Sequence, residues 1–285
     1  MTSGTGYEPA AHYDRVTEAW GLLLGDELHY GVFDHGDEAL DVATAALTER
    51  MVQAARLPDG SADGRPLRVL DIGCGSGAPA CAMSEAHGVE VVGITTSAVG
   101  VETALARAAA RGLAGTVTFE QRDGTANGLP DASFDVAWAL ESAHLMRDRP
   151  ALLAEAARVV RPGGRVVLCD LLRFRDIPFA EVRERRDDFA TLRAAFGDAH
   201  FASLDYYATG LTDLGLEVEV ADDLTQATLP TFDRWRANAE THHDAVVALI
   251  GEDGHRDFVR SCDILEAFWR DGTFGYGIVA ARRPH

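Results

Sequence analysis

The sequence predicts an α/β fold in which a mostly parallel β-sheet carries helices on both faces. Between residues 66 and 172, short apolar segments alternate with longer segments of helical periodicity, which is typical of parallel sheets. Glycines and polar residues follow the apolar segments, where the strands are expected to end. At 285 residues and 47% hydrophobic composition, the chain can bury the core of one large domain, or of one domain with a lid.

The first sixty residues are predicted to be helical. Helical periodicity over residues 13–25 and 39–57 indicates two amphipathic helices, and the loop between them carries His29 and Tyr30. A polar turn over residues 58–65 contains proline and glycine and precedes the first strand. We expect residues 1–60 to form a lid segment, because so short a stretch cannot build a core of its own.

Residues 61–172 are predicted to form the nucleotide-binding core. Strands are expected at residues 68–72, 90–95, 117–122, 134–139 and 165–170, with helices that include 97–111 and 151–160. The sequence RPGG at residues 161–164 ends the second of these helices and turns the chain into the fifth strand. Ligands of such sheets bind at the carboxyl ends of the strands.

Residues 173–285 are predicted to add the remaining strands and a helical cap that binds the acceptor. The patterns indicate a helix over 176–196, a helix and a strand within 206–224, mostly helix over 232–268 and a final strand over 274–282. We expect these helices, with those of the lid segment, to cover the carboxyl ends of the strands.

Composition excludes several classes of protein. Acidic residues outnumber basic residues, 45 to 26, so neither a nucleic acid nor an anionic membrane surface is an expected partner. No apolar run approaches the roughly 20 residues of a membrane-spanning helix, and no basic and then apolar signal pattern opens the chain. We therefore expect a soluble, cytoplasmic protein with a bulky small-molecule acceptor, neutral or cationic. Nothing in the sequence indicates an oligomeric state.

No metal site is predicted. The four cysteines show no paired spacing, so buried apolar positions are expected for them: Cys74, Cys81, Cys169 and Cys262. The histidines near residue 243 have no second histidine or cysteine on the same helical face.

The sequence DIGCGSG at residues 71–77 indicates a nucleotide site after the first strand. Gly73, Gly75 and Ala78 fit the G-x-G-x-x-A fingerprint of dinucleotide binding, a weak signal when it stands alone. That interpretation requires an acid at the end of the second strand to bind the ribose. The second strand ends instead in Thr95 and Thr96, so the acid that dinucleotide binding requires is missing.

Three further segments follow the later strands in order: RDGTANGLP, WALESAHLM and VVRPGGRVVLCD. With the glycine motif, they resemble the class I S-adenosylmethionine-dependent methyltransferases, most strongly over residues 66–172. LHYGVF and WALESAH are similar to the natural-product group that includes the rebeccamycin sugar O-methyltransferase. The resemblance implies a Rossmann-like, seven-stranded, mostly parallel sheet and S-adenosylmethionine as cofactor.

The resemblance also implies cofactor contacts at matching positions. Asp71 lies beside the methionine moiety, and Gly73 and Gly75 let the backbone approach the ligand closely. The turn aims the N–H groups of the next helix at the ligand carboxylate. Thr95 and Thr96 lie near the ribose hydroxyls.

Further contacts follow from the same resemblance. Asp123 accepts a hydrogen bond from the adenine amino group, beside the backbone N–H of Gly124, while Leu140 and Glu141 flank the methionine end. Related sequences often carry a glutamine where this chain has Gly100, which leaves the two threonines as candidates for that ribose contact. In the lid segment, the resemblance places His29 and Tyr30 over the sulfonium, with Tyr13 as a latch.

His144 and Asp170 are the predicted catalytic residues. Methyl transfer to a sugar or alkyl hydroxyl releases a proton, so a base that titrates near neutral pH assists it. His144 follows the fourth strand and Asp170 ends the fifth, where a carboxylate is able to hold the imidazole in one tautomer. The natural-product group carries two adjacent histidines here. His144 matches the first, and Leu145 replaces the second.

Three activities remain open at this stage. The favoured one is methyl transfer to a hydroxyl of a specialised metabolite, with glycosides among the candidates. The same site serves an amine equally well, which gives an N-methyltransferase. The third is a cyclase that keeps the cofactor without transferring its methyl group.

Overall fold

The computed structural model describes residues 9–57 and 64–285, with side chains described from residue 16 onward. Seven strands form one sheet: β1 Arg68–Ile72, β2 Glu90–Thr95, β3 Val117–Gln121, β4 Phe134–Leu140, β5 Val160–Arg173, β6 Glu217–Asp223 and β7 Phe274–Arg282. Their order is β3-β2-β1-β4-β5-β7-β6, and only β7 runs antiparallel to its neighbours. The mostly parallel seven-stranded sheet is as predicted.

The described helices lie before, between and after these strands. The α-helices are α1 Pro9–Leu23, α2 Leu40–Ala54, α3 Ala78–His87, α4 Ala98–Ala110, α5 Arg149–Val159, α6 Phe179–Glu184, α7 Arg186–Phe196, α8 Leu204–Asp213, α9 Thr225–Thr228, α10 Thr231–Thr241 and α11 His243–Arg270, and a short 3-10 helix, Ala143–Leu145, follows β4. Local side-chain hydrogen bonds cap the start of three of them: Ser97 accepts from the N–H of Gly100 in α4, Asp148 from the N–H of Ala151 in α5, and Ser203 from the N–H of Tyr206 in α8. None of the described helices has the length and apolar composition needed to cross a membrane.

The single helix predicted over residues 176–196 is wrong. The chain forms α6 and α7 instead, with a break at Arg185, whose φ and ψ are −96° and 21°. The guanidinium of Arg185 lies 3.7 Å above the ring of Phe268, and α7 packs on α11. This tertiary contact orients α7, and the helical periodicity of the sequence does not predict it. The final helix is also interrupted, at Gly251, whose φ of 78° favours glycine.

Two apolar clusters cover the two faces of the sheet. One cluster joins the lid segment to the last helices, with Trp20, Leu47, Trp235 and Phe268 among its members. The other packs α5 and α8 against the opposite face. All four cysteines are buried and unpaired, as expected from their spacing. The first and last parts of the chain therefore share one core and meet above the carboxyl ends of the strands.

Candidate active site

A cavity of about 580 Å³ lies at the carboxyl ends of β1 to β4, within the size range of small-molecule sites. Seven of the sequence-predicted residues line it: Gly73, Gly75, Thr95, Thr96, Asp123, Gly124 and Glu141. The parallel arrangement of the strands accounts for this, because each residue lies at or just after the end of a strand, and these strands end at the same edge of the sheet. We call this space the cofactor cavity.

The two motif glycines serve different physical needs. Gly73 has a φ of +82°, and a Cβ there would lie 2.2 Å from the Cβ of Ser142. Ser142 closes tightly over this turn because its hydroxyl donates to the carbonyl of Ile72 at 2.6 Å. Gly75 has a φ of +52° and lines the cofactor cavity, and a Cβ there would meet no protein atom within 4 Å. A side chain at Gly75 would therefore occupy space that the fold leaves open.

Asp71 is a buried carboxylate without a partner. It is 3% exposed, and among the described residues no group donates a hydrogen bond to it or pairs with it. Burial alone raises the pKa of Asp71 to about 7. It lines a small side cavity of about 60 Å³ together with His29, Leu140 and Glu141. An uncompensated acid in this position suits a ligand that brings a positive charge.

The ribose and adenine candidates also have local hydrogen bonds. The Thr95 hydroxyl accepts from the N–H of Ser97 at 3.2 Å. Asp123 is exposed, and its Oδ1 accepts from the N–H and the hydroxyl of Thr125 at 2.8 and 2.7 Å. These bonds hold the turn after β3 in shape and leave Asp123 Oδ2 without a partner among the described residues. A Cβ on Gly124 would lie 2.6 Å from Ile72 Cγ2, so the chain passes close to β1 there.

A second cavity, of about 540 Å³, adjoins the first, and we call it the acceptor cavity. Leu28 and Glu141 line both large cavities and the small side cavity. The acceptor cavity has walls of aromatic side chains: Trp20, Phe189, Phe196, Phe201, Trp235 and Phe274. Leu28 and Glu141 therefore mark the junction where a group in one cavity meets a group in the other.

Glu141 is held at this junction by two short hydrogen bonds. Its Oε1 accepts from the N–H of Tyr30 at 2.7 Å and from the hydroxyl of Tyr276 at 2.6 Å. Burial raises the pKa of Glu141, although the charge of His29 acts in the opposite direction. Its φ of 47° is uncommon for a residue with a side chain. Such strain is typical of functional sites.

The lid-segment residues occupy fixed positions beside the junction. His29 is buried, with Nδ1 at 2.7 Å from the carbonyl of Tyr30 and Nε2 at 2.9 Å from Glu27 Oε2. Burial opposes the charged form of His29, but the bond and the charge of Glu27 raise its pKa overall. Tyr30 stacks parallel to Trp269 at 5.4 Å. Tyr13 lies in α1, and its side chain is outside the described residues.

His144 and Asp170 meet at the acceptor cavity, which His144 lines. His144 Nδ1 lies 2.6 Å from Asp170 Oδ1, and the backbone N–H of His144 donates to Oδ2 at 2.9 Å. The N–H of Leu171 donates to Oδ1 at 2.7 Å. Because Asp170 occupies Nδ1, the other ring nitrogen, Nε2, remains without a partner among the described residues.

The electrostatics of this pair favour a basic histidine. Burial disfavours the charged imidazolium, but the charge and hydrogen bond of Asp170 outweigh it and raise the pKa of His144. The pair therefore has the features of a general base: an oriented ring, one free nitrogen and an acid that stabilises the cation.

Most residues that line the acceptor cavity were not predicted from the sequence. Phe189, Phe196 and Phe201 are separated along the chain and converge only through the packing of α7 and the loop after it. Ser142 and Tyr276 were also not predicted, although the Ser142 hydroxyl binds the carbonyl of Ile72 beside Gly73 and the Tyr276 hydroxyl holds Glu141 in place. Ser142 follows Glu141 directly in a recognised motif, which is the one signal that was available for it.

Comparisons with known proteins agree with this architecture. The family model described as "Methyltransferase domain" matches residues 70–168. The chain is 37% identical to the 27-O-demethylrifamycin SV methyltransferase of Amycolatopsis mediterranei (strain S699), over 284 residues and 100% of both chains. Among solved structures, the [4+2]-cyclase SpnF superposes with a TM-score of 0.80 at 24% identity, covering 96% of this chain and 95% of that one. The mycolic acid cyclopropane synthase CmaA1, complexed with SAH and CTAB, gives a TM-score of 0.82 at 18% identity, over 96% of each chain.

The chain belongs to the class I S-adenosylmethionine-dependent methyltransferases, and it has their Rossmann-like fold. Its cofactor is S-adenosylmethionine. The residues present fit that molecule, because Asp71 is a buried acid with no partner in the described part of the chain, and Gly75 keeps open the space that a side chain would fill. The ligand expected at the glycine motif is therefore S-adenosylmethionine and not a dinucleotide.

Proposed function

We propose that the protein transfers a methyl group to a hydroxyl of a small specialised metabolite in a natural-product biosynthetic pathway. The observation that carries the proposal is the His144–Asp170 pair on the wall of the acceptor cavity, next to the cofactor cavity. A neutral amine or an ionised phenol accepts a methyl group with little acid–base help, whereas an alcohol must lose its proton and is assisted by a base. The relative named for 27-O-demethylrifamycin SV supports oxygen as the acceptor atom.

When bound, the cofactor would supply an electrophilic methyl group, and its sulfur would keep the electron pair of the sulfur–methyl bond that breaks. The residues of the glycine motif, with Asp71 and Asp123, bind and orient it. His144 Nε2 takes the proton of the acceptor hydroxyl as the new bond to carbon forms. Asp170 keeps the imidazole in the tautomer whose Nε2 is unprotonated and stabilises the cation that results. Glu141, bound by Tyr30 and Tyr276, fixes the wall between the two cavities.

We further propose that the N-terminal segment acts as a lid over this junction. Thr17 and Leu28 line the cofactor cavity, and Trp20, Leu28 and Tyr30 line the acceptor cavity. The segment is tied to the core by an ion pair from Asp26 to Arg107 at 2.7 Å. Its role is to exclude water from the reacting groups.

A labelled-methyl experiment tests the proposed function. Purified protein is incubated with methyl-labelled S-adenosylmethionine and a panel of hydroxylated metabolites that starts with 27-O-demethylrifamycin SV, the molecule in the relative's name. We expect one labelled methyl group on an acceptor oxygen, and a His144→Ala variant provides the matched control.

Two other outcomes identify the rival functions. Label on nitrogen identifies an N-methyltransferase, for which His144 is dispensable. An acceptor that cyclises without gaining label identifies a cyclase, the activity named for the structural neighbour SpnF.

A further inference from the structure

The acceptor cavity has a charge balance opposite to that of the chain. Three arginines and two carboxylates line it, whereas acidic residues outnumber basic ones 45 to 26 in the whole sequence. The two carboxylates are Glu141, which accepts two hydrogen bonds, and Asp198, which pairs with Arg147 at 2.7 Å. The lining therefore has an excess of positive charge, in contrast to the neutral or cationic acceptor that the total charge suggested.

Arg149 is the source of this excess. Five arginines line the two large cavities, and four of them form ion pairs with a described carboxylate. Arg149 forms none with any described residue. Its Nη1 donates to the carbonyl of His200 at 2.7 Å, and its guanidinium carbon lies 5.9 Å from the ring centre of Tyr206. Its Nε and Nη2 have no hydrogen-bond partner in the described part of the chain.

Arg149 lies on the same side of the cavity as the base. It is the first residue of α5, and His200, which it contacts, donates its own N–H to the carbonyl of His144 at 2.8 Å. The positive charge of Arg149 also acts on the imidazole of His144 and opposes its protonation. A half-buried guanidinium with free donors beside an aromatic-walled cavity is suited to bind an anionic oxygen, since its planar fork matches a carboxylate.

We propose that Arg149 binds an anionic oxygen of the acceptor, as a carboxylate, phenolate or enolate, at a point separate from the hydroxyl that His144 serves. The acceptor class is then a bulky, apolar or aromatic molecule with one acidic group. This inference rests on the proposed function only in treating the second cavity as the acceptor site.

A pair of small probes tests the inference without methyl transfer. 2-Naphthoate and 2-naphthamide share one aromatic body and differ in charge, and their binding to the cofactor-loaded protein is measured by calorimetry. We expect the naphthoate to bind about ten- to a hundredfold more tightly, the range for a hydrogen bond to a charged group. Equal affinity for the two probes, or no binding of the naphthoate at millimolar concentration, overturns the proposal.

Variants separate this role from a structural one. Arg149→Gln keeps a donor for the carbonyl of His200 but removes the charge, so the preference for naphthoate should disappear while naphthamide affinity and melting temperature hold. Arg173→Gln, at an arginine already paired with Asp176, is the matched control and should keep the preference. Loss of the preference in both variants, or in neither, contradicts the assignment.

The two experiments distinguish a wrong assignment of Arg149 from a wrong proposal of O-methyl transfer. If labelled methyl appears on an oxygen but the probes bind equally, only the Arg149 assignment is wrong. If the probes are distinguished but no acceptor oxygen gains label, the anion site stands and the O-methyl proposal fails.

Discussion

Replacing Asp170 with asparagine tests the proposed base most directly, because the substitution keeps the shape of the side chain and removes its charge. Asp170 accepts three hydrogen bonds: from Nδ1 and from the backbone N–H of His144, and from the N–H of Leu171. An asparagine has one acceptor oxygen. Placed at the Oδ1 position, that oxygen keeps the bonds to the ring and to Leu171 and leaves the N–H of His144 facing an amide NH₂. The unpaired buried group should lower stability by about 1–3 kcal/mol.

The kinetic effect follows from the lost charge. A hydrogen bond to a charged group contributes about 1.5–3 kcal/mol, so losing the charge beside the imidazolium should lower kcat by about 10- to 150-fold. His144→Ala removes the base altogether and should lower kcat more, by about 10²–10⁴. Cofactor affinity should stay the same in both variants, because the pair faces the acceptor cavity.

The pH profile distinguishes a base from a residue that only shapes the cavity. His144 must be neutral to accept a proton, so activity rises with pH through its raised pKa. Asp170 is what raises that pKa, so the acid limb of the Asp170→Asn profile should move to lower pH. Steady-state rates with a saturating hydroxyl acceptor across the pH range measure both effects. A His144→Ala enzyme with near-full turnover, or an acid limb that stays in place in Asp170→Asn, would refute the reasoning.

Three further predictions concern the cofactor site and the lid segment. Gly75→Ala should abolish cofactor binding, while its positive φ costs only about 1 kcal/mol in the free energy of unfolding. Gly73→Ala should instead destabilise the fold, because its Cβ would overlap protein atoms. Calorimetry measures cofactor affinity and thermal melts measure stability; equal cofactor affinity in Gly75→Ala and wild type would contradict the prediction. Burial raises the pKa of Asp71 from its ordinary 3.8 to about 7 in the folded protein. Below pH 3.8 this shift leaves the free energy of unfolding unchanged. Between the two pKa values the free energy of unfolding falls as pH rises, and above pH 7 the loss is on the order of 4 kcal/mol. Asp71→Asn should therefore stabilise the cofactor-free protein at pH 8 and not at pH 3.5. Cofactor binding near pH 7 should release a proton in the wild type and not in this variant. Calorimetry in buffers of different ionisation enthalpy detects the released proton. For the lid, hydrogen exchange over residues 13–35 should slow when cofactor and acceptor bind, and identical exchange rates with and without ligands would disprove closure.

The sheet and most of the cofactor cavity could be predicted from the pattern of residues along the chain. Strands buried in the interior of the sheet stand out as short apolar runs, whether parallel like β1 and β2 or antiparallel like β7, and these three have the predicted boundaries. Most of the predicted cofactor residues lie at or just after the end of a strand, and strand order brings those ends to one edge. The His144–Asp170 contact was predictable for the same reason, since β4 and β5 are neighbours in register.

The acceptor cavity and the contacts of its lining residues depend on how distant segments of the chain pack together. Arg149 is one arginine among many in the sequence, and its lack of an acidic partner among the described residues depends on which carboxylates pack nearby. The break at Arg185, which orients α7 and its aromatic side chains, depends on a contact with Phe268. Glu141 is held by Tyr276, which is distant in sequence. Helices that cover a sheet meet through side chains far apart in the chain, so local periodicity predicts that they exist and leaves their placement to packing.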